Sequence, residues 1–186
     1  MNIWEVIANE GYKDCILIDD TGKEIYDSCN FFMEEQDSFY QRKIVFTQKE
    51  ISIADISNYW GIEGTFVVNQ KTKKIFEENF EKIQFIPLIC EQYHKEKFWL
   101  INVLNYQNVL DINRCKYDTM RNIYGETIIH HIKSYSFVDD VCNLDIFKIT
   151  VLGKKFPLNL FVTDNFKQII DKNNLTGLNL RKIYES

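Results

Sequence analysis

The feature that most restricts how this chain can fold is a pattern written twice, 95 residues apart. In the first copy Thr65-Phe66-Val67-Val68 reads as a strand, and Asn69 then offers a helix N-cap. Thr72, Ile75, Phe76 and Phe80 follow at i, i+3, i+4 and i+8, one apolar helix face. Ile83-Gln84-Phe85-Ile86 then reads as a strand. In the second copy Leu160-Phe161-Val162 leads to the capping pair Thr163-Asp164. Phe166, Ile169 and Ile170 form the helix face, and Leu178-Asn179-Leu180 closes as a strand. At the constant offset Phe66-Val67 matches Phe161-Val162, Asn69 matches Asp164, and Ile75 matches Ile170. Phe80, Ile83 and Phe85 match Leu175, Leu178 and Leu180. Two copies are too few for a solenoid. Shared local folding rules and an internal duplication would both produce the match.

Further strands surround these copies. Ile3 to Ile7 alternates loosely. Cys15 to Asp19 and Lys23 to Tyr26 flank Asp20-Thr21-Gly22, where glycine supplies the positive φ of a short hairpin loop. Residues 28–42 mix aromatics with acids and read as a loop or short helix. Lys43 to Phe46 reads as a strand, and Asp55 to Trp60 as a short helix ended by Gly61. Phe98 to Leu104 is apolar on both faces, so it belongs in the centre of a sheet covered on both sides. Asn102 within it needs buried hydrogen-bond partners, as a structural group or as part of a site. Ile128 to Val138 and Ile146 to Val151 add two more strands. The expected fold is α+β, a mostly antiparallel or mixed sheet with a few short helices, including the two strand–helix–strand units. With 186 residues, 45% of them apolar, a single domain over 1–186 can stand without disulfide or metal staples.

Charge is unevenly spread. The chain carries a net −5, without the dense basic footprint that nucleic acid or an anionic membrane requires. Residues 1–41 hold ten carboxylates against Lys13 and Lys23, whereas the remainder is net +3. Such a segment is either a solvated face or a lure for a basic protein partner. The five cysteines are odd in number and widely spaced, with no CxxC and no zinc-finger spacing. The start of the chain lacks a secretory signal pattern, and no apolar run is long enough to span a membrane. The expected compartment is a reducing cytoplasm.

Constellations with chemical potential are few. His130-His131 lie next to each other on a strand, where side chains point to opposite faces and cannot easily share a metal. Cys142 is the cysteine nearest this pair, but Asp139-Asp140 beside it would raise its pKa. Asp139-Asp140 and Glu34-Glu35 read as solvated turns, since neighbouring carboxylates rarely converge for acid–base work. Nucleotide-loop, nucleophile-elbow and zincin motifs do not occur. The basic run Lys71 to Lys74 lies on the outer side of an amphipathic helix.

A wider pattern then emerges. Phe98 to Leu104 is followed by Leu110-Asp111, then Asp145-Ile146-Phe147-Lys148, then Leu160 to Lys167, and finally Leu175-Thr176-Gly177-Leu178. Over residues 64–183 this resembles an immunity-protein family of bacterial polymorphic-toxin systems, typified by a myxobacterial member and formerly a domain of unknown function. Residues 1–60 add no motif to the resemblance and form a variable N-terminal strand region. The resemblance implies a cytoplasmic protein without enzymatic activity or cofactor that binds and neutralises a cognate toxin by occluding its active site. It implies no catalytic residues. Gly177 matches as a turn and Asp164 as a cap.

On this reading Asp19, Asp20, Glu34, Glu35 and Asp37 are the expected partner-binding residues, with Phe31, Phe32 and Phe39 as aromatic anchors. The partner is a toxin protein rather than nucleic acid or membrane, and the free chain is a monomer or weak dimer. The alternatives are a structural or regulatory subunit of a larger assembly, or a small enzyme whose site gathers Asn102, a histidine and a carboxylate.

Overall fold

The computed structural model describes residues 1–26, 33–36, 42–47, 51–61, 64–122, 124–125, 127–138, 141 and 143–185. Strands dominate, and two short helices complete the expected α+β fold. The strands are β1 (Asn2–Ala8), β2 (Cys15–Ile18), β3 (Glu24–Ile25), β4 (Arg42–Phe46), β5 (Ile56–Asn58), β6 (Phe66–Asn69) and β7 (Ile83–Ile89). They continue with β8 (Phe98–Val103), β9 (Tyr106–Gln107), β10 (Lys116–Arg121), β11 (Thr127–Ser134), β12 (Ile146–Val151), β13 (Lys154–Thr163) and β14 (Leu178–Glu185). Helix α1 (Gln70–Asn79) follows β6, and α2 (Asp164–Lys172) follows β13.

A seven-stranded sheet runs β3-β2-β4-β7-β8-β6-β5, a five-stranded sheet runs β14-β1-β13-β12-β9, and β10-β11 form a separate ribbon. The two strand–helix–strand units have the same topology, one in each large sheet. In the first, β6 and β7 lie antiparallel to β8 between them, and β5 flanks β6. In the second, β13 and β14 lie antiparallel to β1 between them, and β12 flanks β13. The register also repeats: Trp99 opposes Val68 and Pro87, whereas Trp4 opposes Val162 and Lys182. Lys73 lies 5.4 Å from the Trp99 ring centroid and Lys167 lies 6.0 Å from that of Trp4. Each lysine pairs with an acid one turn on, Glu77 or Asp171. Trp4 and Trp99 are thus counterparts in position but not at the sequence offset, because β1 precedes its unit whereas β8 follows its own.

Why these residues form these elements is legible from their contacts. The side chain of Asn69 accepts the Thr72 N–H at 2.9 Å, as an N-cap must to satisfy an orphan donor. Thr72 and Phe76 then turn inward. Phe166 on α2 meets Phe76 at 5.6 Å and Phe80 at 5.1 Å between ring centroids, so the two helices lock through aromatic contacts. Around them lies the central core, which draws Val6 and Val162 from one sheet and Val68 and Ile101 from the other. Strand β8 is covered on both faces, as its unbroken apolar run requires. Ile101 and Val103 enter the central core, while Phe98 and Leu100 enter a second core with Cys15, Leu17 and Ile44.

That second core is held by curvature. The seven-stranded sheet curls until Tyr59, just after β5, bridges Cys15 at the start of β2. Gly61 follows because a Cβ there would sit 2.6 Å from the Tyr59 ring. The third core lies under the β10-β11 ribbon, where Ile132 and Phe137 pack on Ile3, Phe147 and Phe161 of the five-stranded sheet.

Several expectations need correction. Asp55 to Trp60 is not a helix: Ile56 pairs with Val68 and Ser57 with Val67, and strand pairing overrides the weak local helix pattern. Asp164 is not the N-cap of α2. Thr163 holds that position without a side-chain cap bond. The Asp164 carboxylate instead accepts from Asn2 N and Trp4 Nε1, both at 3.0 Å, and ties α2 to β1. The helix caps are therefore 94 residues apart, whereas the last strands keep the offset of 95. Strand β10 is exposed along its whole length and gave no apolar period to read.

Candidate functional site

The acidic residues singled out from the sequence reach the surface by different routes. Asp19 starts the β2–β3 loop and spends its carboxylate on it: Oδ1 accepts Thr21 N at 2.8 Å, Thr21 Oγ1 at 2.7 Å and Lys23 N at 2.9 Å. These bonds, led by the Thr21 hydroxyl and then the Lys23 N–H, hold its carboxyl below the usual range. Asp20 projects into solvent and meets Lys43 Nζ at 2.9 Å, which also lies 3.8 Å from Glu91. The hydrogen bond that Lys43 donates to Asp20, and the Asp20 charge, push its ammonium up.

Glu34 and Glu35 stand elsewhere. Gln84 and Asn102 oppose each other on β7 and β8 and face the same side as Ile86 and Leu100, the concave side of the curled sheet. They hold residues 33–36 across that end. Asn102 Nδ2 donates to Glu34 O at 2.9 Å, Gln36 N donates to Gln84 Oε1 at 2.9 Å, and Gln84 Nε2 returns a bond to Gln36 O. Lys155 Nζ donates to Met33 O from the other sheet. Glu34 and Glu35 themselves are exposed. Asn102, fully buried, is thus an anchor for the acidic segment.

These acids do not form one patch. Lys43, and Asp20 with it, sits opposite Ile89, five positions along β7 from Gln84. At ~3.3 Å per residue, that separates the two acidic groups by roughly 17 Å. Asp37 lies outside the described residues, as do Phe31, Phe32 and Phe39. Exposed aromatics that the sequence did not single out include Tyr26 and Trp60, 68% and 65% exposed, and Tyr124, 82% exposed. Tyr26 and Trp60 both lie just beyond the ends of strands, β3 and β5.

The remaining chemical candidates are spread apart. His131 is exposed on β11 and His94 is exposed beyond a 3-10 turn at Glu91–Tyr93. Burial pushes up the thiols of Cys15, Cys90 and Cys115, which keeps them in the unreactive protonated form. Asp139-Asp140 and Cys142 lie outside the described residues. Among the described residues no three His, Cys, Asp or Glu side chains come together to hold a metal ion. Among them, too, no helix is long and apolar enough to cross a membrane.

Two exposed acidic groups thus stand at opposite ends of β7. Residues 18–185 match the immunity protein family (Imm11). The chain belongs to this family. The match starts at the end of β2 and runs to the last residue of β14, so it takes in β3 to β5 ahead of residues 64–183, over which the resemblance was read. Among curated proteins no relative matches.

Proposed function

We propose that this chain binds a cognate toxin protein in the cytoplasm and neutralises it by occluding the toxin's active site. The observation that carries this reading is membership of the immunity protein family over residues 18–185. The chain acts as a binder, with no catalysis or cofactor of its own, and meets its partner as a monomer or weak dimer. Residues 1–186 work as one domain, a reading supported by the central core that both large sheets share.

The acidic residues Asp19, Asp20, Glu34, Glu35 and Asp37 supply the electrostatic part of the interface and favour a basic toxin domain. Exposure of Asp20, Glu34 and Glu35 supports this assignment. With two acidic groups at opposite ends of β7, an interface of about 1,600 Å² would span that flank of the sheet. Tyr26 and Trp60 supply anchors, a reading supported by their exposure and by residue types that dominate binding energy when buried by a partner.

The test is growth of a host that expresses a candidate toxin domain encoded next to this gene, with and without this chain. Restored growth, with the two proteins co-purifying, is the expected result. Toxicity that persists in the presence of the folded chain would overturn the pairing.

A further inference from the structure

The junction between the units is built twice, and the two versions differ. In the first, the loop after α2 closes on the start of β5. Asp55 Oδ2 accepts from Thr176 N and Thr176 Oγ1, both at 3.1 Å. Asp55 N donates back to Thr176 Oγ1 at 3.1 Å, and Ile56 N donates to Thr176 O at 3.1 Å. Asn69 Nδ2 adds a bond to Asp55 Oδ1 at 3.0 Å. Gly177 follows at φ 104°, and an added Cβ would run into the Ile56 carbonyl oxygen. Glycine is what lets this loop close.

In the second junction the receiving half is kept. Asp145-Ile146 opens β12 as Asp55-Ile56 opens β5: Ile146 opposes Val162 as Ile56 opposes Val68. Thr163 N donates to Asp145 O as Asn69 N donates to Asp55 O. The inserting half is changed. Glu81 and Lys82 precede β7 where Thr176 and Gly177 precede β14, with φ 58° at Lys82. Glu81 lacks the hydroxyl with which Thr176 bonds Asp55, and Lys82 carries a side chain where Gly177 has none. The junction stands open as a cleft of about 350 Å³ lined by Asn79, Glu81, Lys82, Asn105, Asn143 and Asp145. The Asp145 carboxylate accepts from Asn165 Nδ2 at 2.8 Å, and among the described residues no second donor reaches it.

We propose that this cleft is a docking slot for a loop of a protein partner that presents threonine or serine followed by glycine. The loop would seat against Asp145-Ile146 as Thr176-Gly177 seats against Asp55-Ile56. The proposal rests on the reading of this chain as a toxin binder, with the loop belonging to the toxin. A second copy of this chain is a poor source, because its own Thr176-Gly177 is already engaged. The cleft lies at the small end of the ~300–1,000 Å³ range of ligand pockets, the size of a short turn rather than of a large cofactor.

The probe is acetyl-Asn-Leu-Thr-Gly-Leu-amide, a copy of residues 174–178, titrated into nitrogen-15-labelled protein and followed by NMR. Saturable shifts centred on the amides of Asn79, Glu81, Lys82, Asn105 and Asp145 are expected. A control peptide with valine in place of threonine should bind about tenfold more weakly, having lost a hydrogen bond to a charged acceptor. Glu81→Thr combined with Lys82→Gly should let the chain's own loop close the slot and abolish peptide binding. No saturable shift at these amides, or equal binding of the valine peptide, would overturn the proposal. Toxin protection is scored separately: protection without peptide binding rejects the slot alone, and absence of protection rejects the toxin-binding reading while the titration still decides the slot.

Discussion

In the first unit, α1 is capped by the residue just before it, with Asn69 accepting the Thr72 N–H. In the second, Thr163 holds the same place without such a bond, and Asp164 reaches instead to Asn2 and Trp4. The central strand differs in the same way. Strand β8 follows β7 directly, whereas β1 reaches its place between β13 and β14 from the far end of the sequence. One topology is therefore closed once by local sequence and once by contacts some 160 residues apart. Local closure costs less chain entropy, so the first unit can form early, while the second must wait for both ends of the chain.

The strongest way to break the comparison is to remove what the units share. Phe166→Ala deletes the ring packed on Phe76 and Phe80 and should cost about 3–5 kcal/mol in denaturant unfolding. An effect below about 1 kcal/mol would mean that the helices do not lock the units together.

The two loops come next. Gly177→Ala should cost about 3 kcal/mol, because its Cβ meets backbone and its φ is left-handed. Lys82→Gly, at the matching position, should instead be neutral or stabilise by about 1 kcal/mol by relieving a left-handed φ. Equal losses at the two positions would erase the distinction between the closed and open junctions.

Smaller effects sharpen the contrast between the helix starts. Asp164→Ala should cost about 1.5 kcal/mol, discounted for its partial exposure, and speed amide exchange in β1. Asn69→Ala should cost about 1 kcal/mol and fray α1 while leaving β1 protected.

The mildest test is acid titration. Burial raises the Asp55 carboxyl, but hydrogen bonds from Asn69 and Thr176 and the nearby Lys71 outweigh it and hold it below its usual range. Burial likewise raises Asp164, and the bonds from Trp4 and Asn2 overcome it. A depressed carboxyl stabilises the fold above its unfolded pKa of about 3.9, and that contribution is lost as pH falls through the lower folded value. The stability gap between the wild type and Asp55→Asn should therefore narrow below about pH 4 in denaturant melts. A gap unchanged down to strong acid would show that Asp55 carries no such contribution.

The sequence by itself determined the α+β class, the doubled strand–helix–strand pattern, the Asn69 cap and the central place of β8. These follow from short-range physics: apolar periodicity, capping and a strand apolar on both faces. The family resemblance over 64–183 was also legible, because packing residues and turns recur at fixed spacing. Tertiary structure decided the rest. Asp55 to Trp60 became a strand because Val68 and Val67 were there to pair with it. Asp164 left its capping role because Asn2 and Trp4 offered it three donor groups across the chain. Asp20 and Glu34, fourteen positions apart in sequence, were sent to opposite ends of β7 by the anchors Lys43 and Asn102. Partners distant in sequence leave no local period, and pairing in space, rather than composition, fixed where each acid stands on the surface.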